Sequence, residues 1–294
     1  MDQASRAPKR SRWAAIGPGL LFAGAAVGVS HLVQSTRGGA EFGLSATIVV
    51  VVCCLVKWPA FRFGPLYAAA TGNSLLDGYR RRGRWTLVVF GLLTLAICFT
   101  TTAAVSMVSV GLLFSLLPDL GSFIGGLGLP GGPASGVAWG SIGLLVAIGV
   151  LLASGGYRIL ERIMKVVMPI LAGCTILAAL VALPQLLAGD WSLLPTIDET
   201  SDRGLLAAIV GWMPAPIDIA VWSSLWTLAK IRMNRGRSGL GPVLVDFDVG
   251  YVGTMVLAMC FVVLGAAVMH DAGVEFAASA PAFGAQVVGL YAEQ

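Results

Sequence analysis

The chain has 294 residues, of which 57% are hydrophobic and 12% are charged, and its mean hydropathy is +0.85. Soluble domains carry about 25% charged residues, so this composition excludes a soluble globule and predicts an integral membrane protein in a lipid bilayer. The net charge of +4 does not indicate nucleic-acid binding, because the chain has no zinc-finger spacing or RNA-binding signature.

Apolar stretches recur along the whole chain. A spanning helix needs about 20 mostly apolar residues, and we predict an all-α membrane protein with about eight transmembrane helices. The stretches, numbered here as spans 1 to 8, are Trp13–Gln34, Phe42–Ala69, Trp85–Leu117, Gly136–Ala153, Ile163–Leu187, Gly204–Leu228, Val249–His270 and Pro281–Gln294. Residues 1–12 are predicted to be a basic cytoplasmic tail and residues 13–294 a single transmembrane domain.

Basic residues alternate between the connections. Of the 19 Lys and Arg residues, 17 lie before span 1, in the last turns of span 2 or after it, between spans 4 and 5, or between spans 6 and 7. The other two are Arg37 and Arg203. The group near span 2 includes Lys57 and Arg62. By the positive-inside rule, this distribution predicts a multi-pass protein of the plasma (inner) membrane with a cytoplasmic N-terminus.

The connection Asp119–Ser135 is rich in Gly and Pro and is predicted to be a flexible loop on the outside.

No enzyme signature and no resident cofactor site is visible. The chain lacks HExxH, a nucleophile elbow and a pair of intramembrane acids at catalytic spacing. The five cysteines lie inside apolar runs without a CxxC or Cys/His cluster, which is typical of small packing residues.

Span 1 contains a weak helical segment. Gly28, Val29 and Ser30 combine a poor helix former, a β-branched residue and a hydroxyl. His31, Gln34 and Ser35 follow at i, i+3 and i+4, a spacing that predicts one shared helical face.

Span 6 contains two prolines. Pro214 and Pro216 each remove a backbone donor, and we predict that they unwind the helix around Met213–Pro216. Asp218 follows the break inside an apolar stretch, where an acid costs roughly 2.5–3.5 kcal/mol and needs a partner or a pathway.

The two predicted breaks lie five spans apart. Inverted-repeat transporters place discontinuous helices in corresponding positions of two halves and bind substrate between them. We therefore predict a substrate site between spans 1 and 6, and a His31–Asp218 pair that could carry a proton. The predicted site residues are Gly28, Ser30, His31, Gln34, Met213, Ala215 and Asp218.

At these residues the sequence resembles the Nramp family of divalent-metal transporters, which have a LeuT-type fold. Gly17-Pro18-Gly19 and the run to Gly38-Gly39-Ala40 resemble that family's first helix, and Met213-Pro214 resembles the start of its Met-Pro-His motif. Thr71–Leu75 resembles the turn after its second helix. The resemblance implies two repeats of five helices, a transported divalent cation and proton coupling.

The sequence departs from that family at the metal motif. Its Asp-Pro-Gly-Asn reads Gly28, Val29, Ser30 and His31 here, the His of Met-Pro-His is Ala215, and an acidic pair in helix 3 is replaced by the neutral run Thr100–Ala104. The metal ligands that remain under the resemblance are His31, Met213 and Asp218, a softer and less charged set.

Only eight of the ten expected helices are present in the sequence. We therefore expect a first repeat of five helices plus three helices of the second, in a fragment or a truncated product.

Three functions remain open. The first is secondary transport of a metal cation, and the second is transport of a small organic solute by a LeuT-type protein. The third is a truncated membrane protein without transport activity.

Overall fold

The structure is a computed structural model that describes residues 17–128, 130–131, 135–187, 200–234 and 239–270, with residues 192, 195 and 286. These residues form ten α-helices and no strand. The helices are α1 (Pro18–Ala26), α2 (Thr36–Phe42), α3 (Ala46–Thr71), α4 (Leu75–Arg82), α5 (Arg84–Leu116), α6 (Pro118–Gly125), α7 (Gly136–Leu187), α8 (Thr200–Trp212), α9 (Ile219–Met233) and α10 (Leu240–Met269). A π-helical turn, Ser30–Ser35, leads into α2.

Four helical stretches within the described residues are long and apolar enough to cross a membrane. They are Ser30–Thr71, Arg84–Leu116, Gly136–Pro184 and Leu240–Met269. Large apolar side chains stay exposed on them, such as Phe99 on α5 (72%) and Val181 on α7 (71%), which suits contact with lipid. The prediction of an all-α membrane protein is confirmed, whereas the count of eight spans stays a prediction. Span 8 and the tail 1–12 fall outside the described residues, apart from residue 286.

Two glycines turn the chain inside these stretches. Gly43 has φ +59° after α2, and Gly156 has φ +51° inside α7. Both angles lie in the left-handed region that glycine enters without steric cost. α7 therefore holds predicted spans 4 and 5 on either side of Gly156.

The prediction of a loop over Asp119–Ser135 is wrong for its first part, where α6 forms. Pro118 stands at the first helical position and Asp119 lies in the first turn. Proline is preorganised for that position, and an acid there complements the helix dipole. Residues 129 and 132–134 of this segment lie outside the described residues.

Helix α10 packs against α1, α2, α3 and α7. Four aromatic rings fill the contact between α1, α3 and α10, and the ring centroids of Phe22 and Phe247 are 5.1 Å apart. The other two rings belong to Phe61 and Tyr251. The Tyr251 hydroxyl donates to the Cys54 carbonyl at 2.6 Å, which ties α10 to α3.

Glycines let the backbones of α10 and the first broken helix approach closely. A Cβ on Gly250 would stand 2.1 Å from the Gly19 carbonyl oxygen, and one on Gly39 would stand 2.0 Å from the Val262 carbonyl oxygen. In membrane proteins generally, glycine and other small residues at helix interfaces let the backbones approach closely. These contacts hold both halves of the broken helix against one partner.

The N-terminus of α1 is capped from α10. Asp246 is buried, and its carboxylate accepts the N–H groups of Gly17 at 3.0 Å and Gly19 at 2.8 Å. Pro18 between them has no N–H to satisfy. The carboxylate also faces the positive end of the helix dipole, so this acid needs no ligand to explain its burial.

Candidate functional site

The helix of predicted span 1 is broken where the sequence predicts. α1 ends at Ala26, Val27 is extended with ψ 91°, and helical structure resumes at Ser30. Gly28 is exposed, and a Cβ there would meet nothing within 4 Å. The break therefore opens a short non-helical segment at Gly28, and the π-helical turn that follows has the kind of geometry often found at functional sites.

His31 is fully buried and uses both ring nitrogens. Nδ1 lies 2.8 Å from the Ser30 hydroxyl and Nε2 lies 3.0 Å from the Thr254 carbonyl oxygen. Because a carbonyl only accepts, Nε2 carries a proton and donates it to α10. The ring therefore fastens the first break to α10, while the Ser30 hydroxyl beside Nδ1 donates its own proton to the Ala26 carbonyl at 2.5 Å.

The predicted His31–Asp218 pair is not formed. Asp218 Oδ2 accepts from the indole N–H of Trp222 at 3.2 Å, while His31 is committed to Ser30 and Thr254. The predicted face of three residues changes in the π-helical turn, because its wider spacing carries Gln34 at i+3 away from His31, whereas Ser35 at i+4 stays near the same side.

The helix of predicted span 6 is broken by its prolines, as predicted. α8 ends at Trp212, α9 begins at Ile219, and the Met213–Pro214 peptide between them is cis. Without an N–H at positions 214 and 216, the carbonyls of Val210 and Trp212 lose the donors that a continuous helix would supply. The last carbonyls of α8 therefore need other partners.

Lys57 of α3 is the partner of three carbonyls at this break, that of Val210 among them. Its ammonium donates to the carbonyls of Val210, of Gly211 at 3.4 Å and of Met213 at 2.7 Å. An ammonium has three donors, and the C-terminal end of a helix favours a cation. The interpretation of Lys57 as a flanking basic residue of the positive-inside pattern is therefore wrong, because it lies near the middle of α3 and binds the helix break.

The two breaks touch each other through Met213. This side chain is fully buried, and its sulfur accepts from the Ser35 hydroxyl at 3.7 Å. Gln34, next to Ser35, has a buried Oε1 that accepts no hydrogen bond from the described residues. The structure thus brings the C-terminal side of the first break against the start of the second.

A cavity of about 400 Å³ opens beside the second break. It lies between α3, α5 and the break, and Ala215, predicted as a site residue, forms part of its wall. Its lining residues are Lys57, Ala60, Phe61, Ile97, Thr100, Thr101, Gly211, Trp212, Ala215, Pro216, Ile217 and Ala220. Of the predicted site residues, Gly28, Ser30, His31, Gln34, Met213 and Asp218 are absent from this lining.

The acidic residue at the second break keeps one oxygen without a partner. Asp218 is half-buried, and its Oδ1 accepts no hydrogen bond from the described part of the chain. Gln34 and Asp218 are thus the predicted site residues with a buried side-chain oxygen that accepts no hydrogen bond from the described residues.

The donor set does not resemble a divalent-metal site. Within the described residues, no group of three or more His, Cys, Asp or Glu side chains is placed to hold a metal ion. Two of the three predicted ligands also have other partners, since His31 Nε2 donates to Thr254 and the Met213 sulfur accepts from Ser35.

Two comparisons with known proteins bear on the chain. No protein-family model matches it. It is 34% identical to an uncharacterized protein of Pasteurella multocida (strain Pm70) over 302 aligned residues, which cover 99% of the chain and 64% of that protein. The chain therefore spans less than two thirds of the length of this relative.

Proposed function

We propose that the protein is a membrane secondary transporter whose substrate binds at the second helix break, which the first broken helix contacts. The observation that carries this proposal is the pair of helix breaks in contact through Ser35 and Met213. Broken backbone at membrane depth is tolerated only where it is buried in protein or lines a cavity. Here one break borders a cavity of about 400 Å³.

The order of the helices supports a LeuT-type arrangement of five plus three helices. Between the two broken helices lie α3, α5 and the two parts of α7. The first break is bound by Thr254 of α10, the long helix that follows the second broken helix. The second break is bound by Lys57 of α3, the long helix that follows the first broken helix. Such reciprocal contacts are what two related halves would produce. With the resemblance of the sequence to Nramp proteins, this is the fold that we propose.

For orientation, we propose a cytoplasmic N-terminus in the plasma membrane. Lys57 binds the helix break, and Arg62 pairs with Asp248 at 3.0 Å. The remaining basic residues, outside these contacts, still favour one side of the membrane, and the positive-inside rule places that side in the cytoplasm.

A small organic solute is the substrate class that the cavity supports best. Ligand pockets for small molecules begin at about 300 Å³ and are mostly apolar with a few polar groups, as this one is, with Thr100, Thr101 and Lys57 among apolar neighbours. A divalent cation prefers carboxylate oxygens. The lining holds none, and it carries the ammonium of Lys57 instead.

A metal cation is the second candidate. It is favoured by the resemblance to Nramp proteins and by two donor atoms near the breaks, the Met213 sulfur and Asp218 Oδ1. The proton coupling that the resemblance implies would fall to Asp218 in this proposal.

Uptake into liposomes tests the proposal. The purified protein is reconstituted, and uptake of manganese, magnesium and a panel of small amines, amino acids and carboxylic acids is measured with and without an inward proton gradient. We expect uptake of an organic solute. We expect Asp218→Asn to change its rate or its dependence on the gradient, and Asp119→Asn, an exposed acid on α6, to leave both unchanged.

The Met213→Leu variant separates the two substrate classes. It keeps the side-chain volume but removes the sulfur, so manganese uptake that is lost in this variant would establish the metal alternative. Absence of uptake of every solute and ion, by protein that elutes as a folded species, would contradict transport and favour a non-transporting membrane protein.

A further inference from the structure

The end of α8 is a three-carbonyl cage, formed by the backbone oxygens of Val210, Gly211 and Met213. All three oxygens accept from one atom, the Nζ of Lys57. Pro214 removes the N–H that would otherwise serve the Val210 carbonyl, and the break removes the rest of the next turn. The cage therefore follows from the break itself and requires no side chain of α8.

The cage has the electrostatics of a cation site. Carbonyl oxygens that gather at a helix C-terminus carry the negative end of the helix dipole. Three neutral carbonyl oxygens are too few for the common divalent ions, because calcium takes 6–8 oxygen ligands and magnesium requires an octahedral set. A monovalent cation of ammonium type, with three N–H donors, matches three acceptors.

We propose that this cage is a binding site for a monovalent cation, and that Lys57 occupies it as a cation tethered to α3. The Lys57 side chain reaches the cage from α3, so its ammonium links α3 to the C-terminal end of α8. The cage holds a cation whether or not the protein transports a solute.

Lys57 borders the cavity of about 400 Å³ together with Gly211 and Trp212. Removal of the lysine side chain therefore opens the cage to a space that small ions can enter. In a variant with a short side chain at position 57, a cation from solution can then take the place of the Lys57 ammonium.

Chemical rescue of Lys57→Ala tests the proposal. The variant is extracted in detergent, and its apparent thermal unfolding midpoint is measured in choline chloride and at rising concentrations of ethylammonium chloride or potassium chloride. We expect the midpoint in choline chloride to fall by about 5 °C or more, because three carbonyls at the helix break lose their shared donor. We expect ethylammonium or potassium to restore at least half of this loss, with the logarithmic concentration dependence of specific binding. The midpoint of the wild-type protein should move by less than about 1 °C over the same series.

Two variants control for the space and for general salt effects. Lys57→Met removes the charge but keeps the space filled, so it should lose stability without being rescued. Arg80→Ala removes an exposed charge on α4 and should respond like the wild-type protein. Equal responses of the alanine and methionine variants to the cations, or no response of the alanine variant, would overturn the proposal.

If the alanine variant does not survive extraction in choline chloride, extraction in potassium or ethylammonium chloride becomes the measurement. The proposal then requires monodisperse protein in these two salts and aggregated protein in choline. Aggregation to the same extent in all three salts would contradict it.

Discussion

The Nε2 atom of His31 lies 3.0 Å from the carbonyl oxygen of Thr254, so the first helix break is fastened to α10 at the point where its backbone leaves the α-helical path. Lys57 does the same for the second break from α3. Each break thus has one long helix that fixes its shape. His31 is a structural residue in this arrangement, which changes what its substitution should do.

Replacement of His31 should affect stability before it affects a substrate. Glutamine can place an N–H near the position of Nε2, so we expect His31→Gln to lose about 1 kcal/mol or less. Leucine keeps bulk but has no donor, and we expect His31→Leu to lose about 2 kcal/mol, from the lost hydrogen bonds and a poorer fit. The apparent thermal midpoint in detergent measures both changes.

The same pair of variants tests the predicted role of His31 as a ligand. Uptake per folded molecule should be unchanged in His31→Gln, whose protein retains the bond to Thr254. A large loss of uptake in that variant, at a wild-type thermal midpoint, would return His31 to the substrate site.

Close backbone packing of α10 on α1 should make Gly250 intolerant of a side chain. A Cβ there would stand 2.1 Å from the Gly19 carbonyl oxygen, so the helices must separate, and we expect Gly250→Ala to lose about 1–3 kcal/mol or more. Gly253→Ala is the matched control, since a Cβ at Gly253 meets nothing within 4 Å. Alanine there should be neutral or gain up to about 1 kcal/mol from helix propensity. Thermal midpoints that rank the two variants in the opposite order would show that the helices do not pack in this way.

Asp246 should contribute more stability than Asp248, although both acids lie on α10. Asp246 is buried and accepts two backbone N–H groups at the start of α1, so we expect Asp246→Ala to lose about 2–3 kcal/mol. Asp248 pairs with Arg62, and both side chains are 30% exposed. We expect Asp248→Ala to lose less, about 1 kcal/mol, because its bidentate pair with Arg62 and its bond from the Trp58 indole are only partly buried. Detergent-solubilised protein heated in parallel measures the difference, and equal losses would argue against the capping role of Asp246.

The sequence predicts the two breaks because their causes are local. Pro214 and Pro216 remove donors wherever they stand, and Gly28 with Val29 weakens a helix in any fold. The partners of the broken segments could not be predicted in the same way, since His31 meets Thr254 across 223 positions of the chain. The π-helical turn after the first break, whose spacing is wider than that of an α-helix, does not follow from the local sequence pattern.

Lys57 is a residue whose role the sequence could have suggested. It lies near the middle of the apolar helix α3, where a lysine needs a partner, and the two prolines of span 6 leave carbonyls without donors. The positive-inside pattern assigned it to the membrane surface because charge counts ignore depth. In the sequence Thr101 belongs only to the neutral run of α5, and its place in the cavity depends on how α5 packs.

Bulk introduced into the cavity should block uptake if the substrate binds there. Thr101 is half-buried and lines the cavity from α5, whereas Ala103, two residues along the same helix, is exposed and does not line it. We expect Thr101→Trp to lower the initial rate of uptake of the transported solute by at least about tenfold, since a well-placed obstruction costs more than 1.4 kcal/mol of binding. Ala103→Trp should leave the rate within about twofold, because an exposed aromatic side chain is tolerated against lipid. Both variants are reconstituted at equal protein density and compared with wild type in the liposome assay. Equal rates for Thr101→Trp and Ala103→Trp would place the substrate path away from this cavity.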